Sequence, residues 1–194
     1  MRAVPPNRYI VFSFIAVAGC VIDLATKSWM FGHLGWPNTP VWWIIPEVFG
    51  FRTSENTGAL FGFGQGWVWV FSALSVVAAV GIVVWLFYAG AARDWLLTIA
   101  LGCVTAGISG NLYDRFGLHG LKWYPGHPDH LPGEPVYAVR DWIHVMIGTY
   151  AWPTFNIADS LLVCGAILLV WHALLYGDPG KSRNGQASAA KREG

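Results

Sequence analysis

Four groups of residues have the types and spacing that proton-transfer chemistry needs. Asp23 and Lys27 stand four apart in an apolar run, so on a helix they share a face and can pair. Asn111, Asp114 and Arg115 close a later apolar run, Asn156 and Asp159 open another, and Asp141 lies just before that last pair. Two carboxyl groups brought close together do not both ionise easily: one keeps its proton while the other acts as base toward a water. That chemistry asks for two Asp residues and for neither metal nor cofactor. Other chemistries find less support. No Ser lies in a GxSxG elbow, and Cys20, Cys103 and Cys164 sit inside apolar runs, where a thiolate is disfavoured. His119, His127, Asp129 and His130 lie in or near a Pro/Gly-rich GHPDH stretch without the i, i+4 helical spacing of a metalloprotease, which reads as a surface loop. Gly62, Gly64 and Gly66 lack the strand-to-helix setting of a phosphate loop.

The elements that carry these residues follow from run lengths. Of the 194 residues, 55% are hydrophobic and 12% charged, about half the charge of an ordinary soluble domain. The formal net charge of +1 excludes a basic nucleic-acid binder and an acidic disordered tail protein. Three Cys without a CxxC exclude a disulfide scaffold and a zinc finger. Trp67 to Ala92 and Trp95 to Tyr113 hold no Asp, Glu, Lys or Arg. Tyr9 to Phe31 and Phe155 to Tyr176 are as long and nearly as apolar. A spanning helix needs about 20 such residues. The expected fold class is therefore an all-α integral membrane protein with four transmembrane helices, about 9–31, 67–90, 95–113 and 155–176. Val41–Phe51, rich in β-branched and aromatic residues, continues toward Ala59–Phe63 as short strands, giving a small β-rich region over about 38–63. Residues 114–154 read as an extended outer loop, 1–176 as a single domain, and 177–194 as a disordered cytoplasmic tail.

Charge sets the orientation. Arg2, Arg8, Arg93, Lys181, Arg183, Lys191 and Arg192 fall on one side; Arg52, Arg115, Lys122 and Arg140 fall on the other. The bias puts both termini in the cytoplasm and both long connections outside. Eight of the 12 Trp lie on or near the outer connections, at the level amphipathic rings favour. With this topology all the polar groups named above gather at the outer end of the bundle. An ionisable group inside a span is costly and marks function by default. Taken singly, each has a plain structural account: an ion pair for Asp23 and Lys27, a helix cap for Thr154 or Asn156, a dipole partner for Asp159, and an interfacial anchor for Asp114 and Arg115. Their convergence at one depth is what points to a shared site. The run Val17-Ala18-Gly19-Cys20 admits a second reading as a lipobox, but the apolar stretch continues to Phe31, and Ala18-Gly19 fits helix packing better.

At these residues the chain resembles the lipoprotein signal peptidases, or type II signal peptidases, of bacterial inner membranes. The stretches that carry the resemblance are Asp23-Leu-Ala-Thr-Lys27, Glu55-Asn56-Thr57-Gly58-Ala59-Leu60-Phe61, Gly110-Asn111-Leu112-Tyr113-Asp114-Arg115, Val139-Arg140-Asp141-Trp142 and Phe155-Asn156-Ile157-Ala158-Asp159-Ser160. The resemblance implies a multi-pass aspartic endopeptidase without cofactor or metal. Its expected action is to cut the signal peptide from a prolipoprotein just before a Cys that already carries diacylglycerol. It implies Asp141 and Asp159 as the catalytic pair, and Asn56, Asn111, Asn156 and Arg115 as groups that orient substrate and support that pair. Asp23 and Lys27 would support the architecture, and a small outer β-cradle would hold the peptide. Lipidated prolipoproteins and membrane lipid are the expected partners, nucleic acid is not, and a monomer is expected.

Two departures stand out. Trp142 replaces the family's Phe after the catalytic Asp, and residues 116–138 are longer than the family's usual connection. The insertion leaves Asp114 as a rival to Asp141 for the partner of Asp159. Asp141 is favoured because Arg115, next in sequence, should hold Asp114 ionised. The competing functions are a proton-coupled carrier relaying through Asp23, Asp141 and Asp159, which should place its groups near the midplane, and a non-catalytic membrane scaffold.

Overall fold

A computed structural model describes residues 3–36, 40–58 and 64–176. Four helices are each long and apolar enough to cross a membrane. Helix α1 (Pro6–Leu34) starts with Pro in its first turn, where no amide donor is missed, and stops at Gly35, which takes the left-handed φ of 75°. Helix α2 (Val68–Val83) runs on through a wider π-type turn to Tyr88 and ends at Gly90, with φ 83°. After one tight turn, Asp94 caps helix α3 (Trp95–Arg115) by accepting from the Leu97 amide at 2.9 Å. Helix α4 (Ile157–Tyr176) completes the set. The spans fall where the apolar runs place them, with α1 longer at both ends and α4 starting two residues later.

Strands β1 (Trp42–Ile45), β2 (Phe49–Asn56), β3 (Val139–Ile147) and β4 (Tyr150–Phe155) form one antiparallel sheet in the order β1-β2-β3-β4. This is more sheet than the sequence reading allows. The stretch read as an outer loop, 114–154, contributes β3 and most of β4, joined by a tight turn at Gly148 with φ 61°. Strand β3 escapes a period-two reading because it is buried on both faces from Val139 to His144, so Arg140, Asp141 and His144 interrupt its apolar run. The proposed strand at Ala59–Phe63 and the tail 177–194 lie outside the described residues.

Helix α3 is the most buried span and the axis of the bundle. Small residues let its neighbours approach. A methyl group at Gly19 of α1 would meet Ala106 at 2.8 Å, and one at Gly165 of α4 would meet the Ala100 carbonyl oxygen at 2.8 Å. Outward-facing apolar side chains such as Phe14, Val77, Val80, Ile167 and Leu174 are exposed, as hydrocarbon-facing positions are. Only Val68 and Ser72 of α2 are buried before its π-type turn, whereas Leu86 within that turn is fully buried against Phe12 and Leu97. The sheet closes over the end of α1 through Met30, Trp142 and Ile143.

Candidate active site

The site lies where β2, β3, the end of α3 and the start of α4 meet. Antiparallel pairing of Ser54 with Asp141 and of Asn56 with Val139 brings the end of β2 alongside β3. There the Asn56 amide donates to Asp141 Oδ2 at 3.2 Å. The Asn156 amide donates to the other oxygen, Oδ1, at 2.6 Å. The Asp141 carboxyl is buried, at 2% exposure. Burial pushes its pKa well above the ordinary carboxylate range, and the charge of Asp159 pushes the same way. Lys27 and the two Asn donors pull against this without reversing it.

Asp159 reaches the same place from the first turn of α4. Asn156, just before the helix, accepts from the Asp159 backbone N–H at 2.9 Å, and the Asn156 backbone N–H donates to Asp159 Oδ2 at 3.3 Å. This is a reciprocal capping box, with Asp in the place more often held by Glu. The other oxygen, Oδ1, accepts from the Asn111 amide at 2.9 Å. Asn156 is thus the capping residue the sequence reading allowed, and its amide also reaches Asn111 Oδ1 at 3.2 Å.

Beneath this pair lies a charged cluster. Lys27 Nζ is fully buried and sits 2.7 Å from Asp23, 3.1 Å from Asp114 and 2.9 Å from Asn111 Oδ1. Asp23 spends its second oxygen on the Ala158 N–H of α4, at 2.8 Å. The sequence reasoning about Asp114 needs a correction here: Arg115 is not its partner. Arg140 holds Asp114 through its Nε at 3.0 Å, its Nη2 at 2.8 Å and its backbone N–H at 3.0 Å, with Lys27 on the other side. Successive residues of a helix point in different directions, and Arg115 turns away to donate to the Gly58 carbonyl at 2.9 Å. Asp114 is fully enclosed in this cluster, so it is Asp141 that shares Asn156 with Asp159.

All nine residues singled out from the sequence therefore converge. Those missed are Arg140, Ser28, which accepts from Arg140 at 3.3 Å, and Gln65. Gln65 donates to Asn56 Oδ1 at 3.3 Å and accepts from the Thr57 N–H at 3.1 Å, fixing the residue that reaches Asp141. Arg140 stood next to Asp141 and across the sheet from Glu55, a signal legible only once β2 and β3 are known to pair. The His cluster packs on an aromatic ring instead of converging on the carboxylates: His127 and His130 both lie against Trp123.

A cavity of about 270 Å³ opens onto Asp159 between α2, α3 and α4. Asn56, Asn111, Arg115 and Asp159 make its polar end, while Phe71, Leu74, Ala78, Ile108 and Leu162 make an apolar wall. Asp159 at the polar end of this cavity and the buried Asp141 that its charge acts on, in a protein with four helices long and apolar enough to cross a membrane, are the arrangement of an aspartic peptidase. The family model described as signal peptidase (SPase) II matches residues 15–175. A lipoprotein signal peptidase of Rhodopirellula baltica is 50% identical over 170 residues, which is 87% of this chain and 73% of that protein. One from Xylella fastidiosa (strain M12) is 33% identical over 173 residues, 86% of this chain and 89% of that one. A solved structure of a bacterial membrane enzyme superposes with a TM-score of 0.69 at 25% identity, covering 87% of this chain and 90% of its own. The chain belongs to the signal peptidase II family.

Proposed function

We propose that this protein removes the signal peptide from diacylglyceryl-modified prolipoproteins, cutting on the amino side of the lipidated Cys, with Asp141 and Asp159 as the catalytic pair. The observation that carries the reading is the joint hold of Asn156 on both carboxyls. We assign the resting pair a single proton, since burial and the neighbouring charge disfavour ionising both carboxyls, and place it on Asp141 because Asp159 is the carboxyl that lines the cavity. Asp159 lines the cavity, accepts hydrogen bonds on both oxygens and acts as the base.

Asp159 takes a proton from a water as its oxygen attacks the scissile carbonyl carbon, while Asp141 gives its proton to the carbonyl oxygen. A tetrahedral diol results. Asp159 then returns its proton to the leaving nitrogen, the C–N bond breaks, and Asp141 recovers a proton from the diol as the new carboxyl forms. Arg115 and Asn56 at the cavity's polar end orient the peptide. The apolar wall from Phe71 to Leu162 receives acyl chain. The sheet serves as an outer cradle for an extended peptide, whose main chain can bond to a strand edge. Basic residues at the termini and at Arg93 favour cytoplasmic termini, which puts the dyad at the outer leaflet, where the anchored Cys lies. Every group in the scheme comes from one chain, so a monomer suffices.

A gel-shift assay in detergent tests this with a diacylglyceryl-modified prolipoprotein and its unlipidated twin. The expected result is cleavage of the lipidated form alone, absent in Asp159→Asn. Turnover by that variant near the wild-type rate would remove Asp159 from the pair, and equal cleavage of both substrates would overturn the lipid requirement.

A further inference from the structure

The insertion at 116–138 builds a second cavity, of about 680 Å³, one residue along the chain from the first: Asn56 lines one and Thr57 the other. Its wall is an organised element. Trp123 exchanges backbone hydrogen bonds with Glu134 and Gly133, both at 2.9 Å, and Val136 bonds to Leu121 at 3.1 Å. Trp123 is buried with Val136 and Ala138, and His130 lies parallel on its ring at 4.2 Å. From the opposite side Trp69 of α2 meets Tyr137 at 5.3 Å. Asp129 and Glu134 line the cavity with His130, whose Nδ1 lies 3.6 Å from Glu134, and among the described residues no Lys or Arg does. Aromatic faces beside carboxylates suit a polypeptide bearing cationic side chains.

Resting on the peptidase reading above, we infer that this cavity is an exosite for the first residues of the mature lipoprotein. It selects substrates carrying Lys or Arg after the lipidated Cys. The signal peptide and acyl chains belong with the apolar wall of the first cavity. The mature stretch must leave the dyad toward water, and the acidic, aromatic-walled space lies beside the first cavity, with the consecutive residues Asn56 and Thr57 lining one each. An extended chain advances about 3.3 Å per residue, so a few residues fill it.

The test uses the full-length protein in detergent and three diacylglyceryl-modified reporters that differ only after the lipidated Cys, with Lys-Lys, Ser-Ser or Glu-Glu. The Lys-Lys reporter should show a KM about 5-fold below that of Glu-Glu at similar kcat, in low salt. The Asp129→Asn/Glu134→Gln variant should bring that ratio to about 1 and leave Ser-Ser cleavage unchanged. Asp129→Lys, at an exposed position, should invert the order. Equal KM values in the wild type, or an unchanged preference in both variants, overturns the exosite. If no reporter is cleaved, the peptidase reading fails by itself. The exosite is then read from the fluorescence anisotropy of labelled Lys-Lys and Glu-Glu mature-side peptides, and equal binding to wild type and variant sinks it.

Discussion

Asn156 and Asp159 cap each other: the Asn side chain accepts from the Asp amide at 2.9 Å, and the Asp side chain accepts from the Asn amide at 3.3 Å. Asn156 has an amide group left over, and it uses it on Asp141 at 2.6 Å. One residue therefore links the start of helix α4 to both carboxyls. Whatever loosens the first turn of α4 also moves the two carboxyls relative to each other.

Asn156→Ala should remove both roles. Loss of the cap costs about 1 kcal/mol, and the stranded buried acceptor on Asp141 adds roughly 1–3 kcal/mol. Cleavage should drop by about 100-fold or more if these bonds hold the reacting geometry. Asn156→Ser separates the roles, because its hydroxyl can cap the helix and is too short to hold Asp141. Thermal unfolding in detergent should show Ser recovering much of the stability, and the gel-shift assay should show no matching recovery of turnover. Recovery of both together would mean that Asn156 is only a cap.

Asp141 carries a testable pH dependence. Its folded pKa lies above its unfolded value of about 3.9, because burial and then the charge of Asp159 disfavour ionisation. A raised carboxyl stabilises the fold fully below the unfolded value, and that contribution is lost as pH rises through the folded one. Asp141→Asn should therefore gain Tm relative to wild type as pH rises, while cleaving nothing at any pH. Wild-type turnover should fall on the alkaline side as Asp141 gives up its proton. A Tm difference that shrinks with rising pH would contradict the assigned direction.

The spans were legible in the sequence because hydrocarbon thickness imposes a run length, and composition alone reveals it. The gathering of Asp23, Lys27, Asn111, Asn156 and Asp159 was legible for a related reason: once helix ends are fixed, depth follows from position. The partner of Asp114 was not. Arg115 is its neighbour in the chain, but Arg140 arrives through β3, and no local pattern reports a pairing across 26 residues. Strand β3 itself was hidden because burial of both faces removes the alternation that marks a half-buried strand. Gln65 was missed because its task is to hold Asn56, and that requires the chain to fold back on itself.

Lys27 holds the charged cluster together. Lys27→Met leaves Asp23 buried without its cation, at a cost of about 3–5 kcal/mol, and also releases Asn111. The single variant should purify poorly and lose cleavage. Adding Asp23→Asn removes the orphaned charge while keeping an oxygen for the Ala158 N–H. The double variant should therefore regain stability without regaining activity, since Asn111 keeps only the longer bond from Asn156 on its oxygen and has lost the lysine that fixed it. A double variant no more stable than Lys27→Met would show that the Asp23 charge is not what the lysine neutralises.

Gly110 tests the same cluster by shape alone. A Cβ at this position would land on the Asp23 carboxylate, and Asp23 cannot give way without leaving Lys27 and the Ala158 amide. Gly110→Ala adds one methyl group, carries no charge and suits a helix, so propensity predicts a gain of roughly 0.5–1 kcal/mol. Overpacking predicts a loss of roughly 1–3 kcal/mol, and the close approach decides in favour of the loss. Cleavage should fall with stability, because the displaced Asp23 no longer fixes the first turn of α4 that carries Asp159. Gly81→Ala on α2 is the control, since its methyl group would meet nothing within 4 Å. It should leave Tm and turnover unchanged or slightly raised. If Gly110→Ala behaves like Gly81→Ala, the contact between α3 and Asp23 does not position the site.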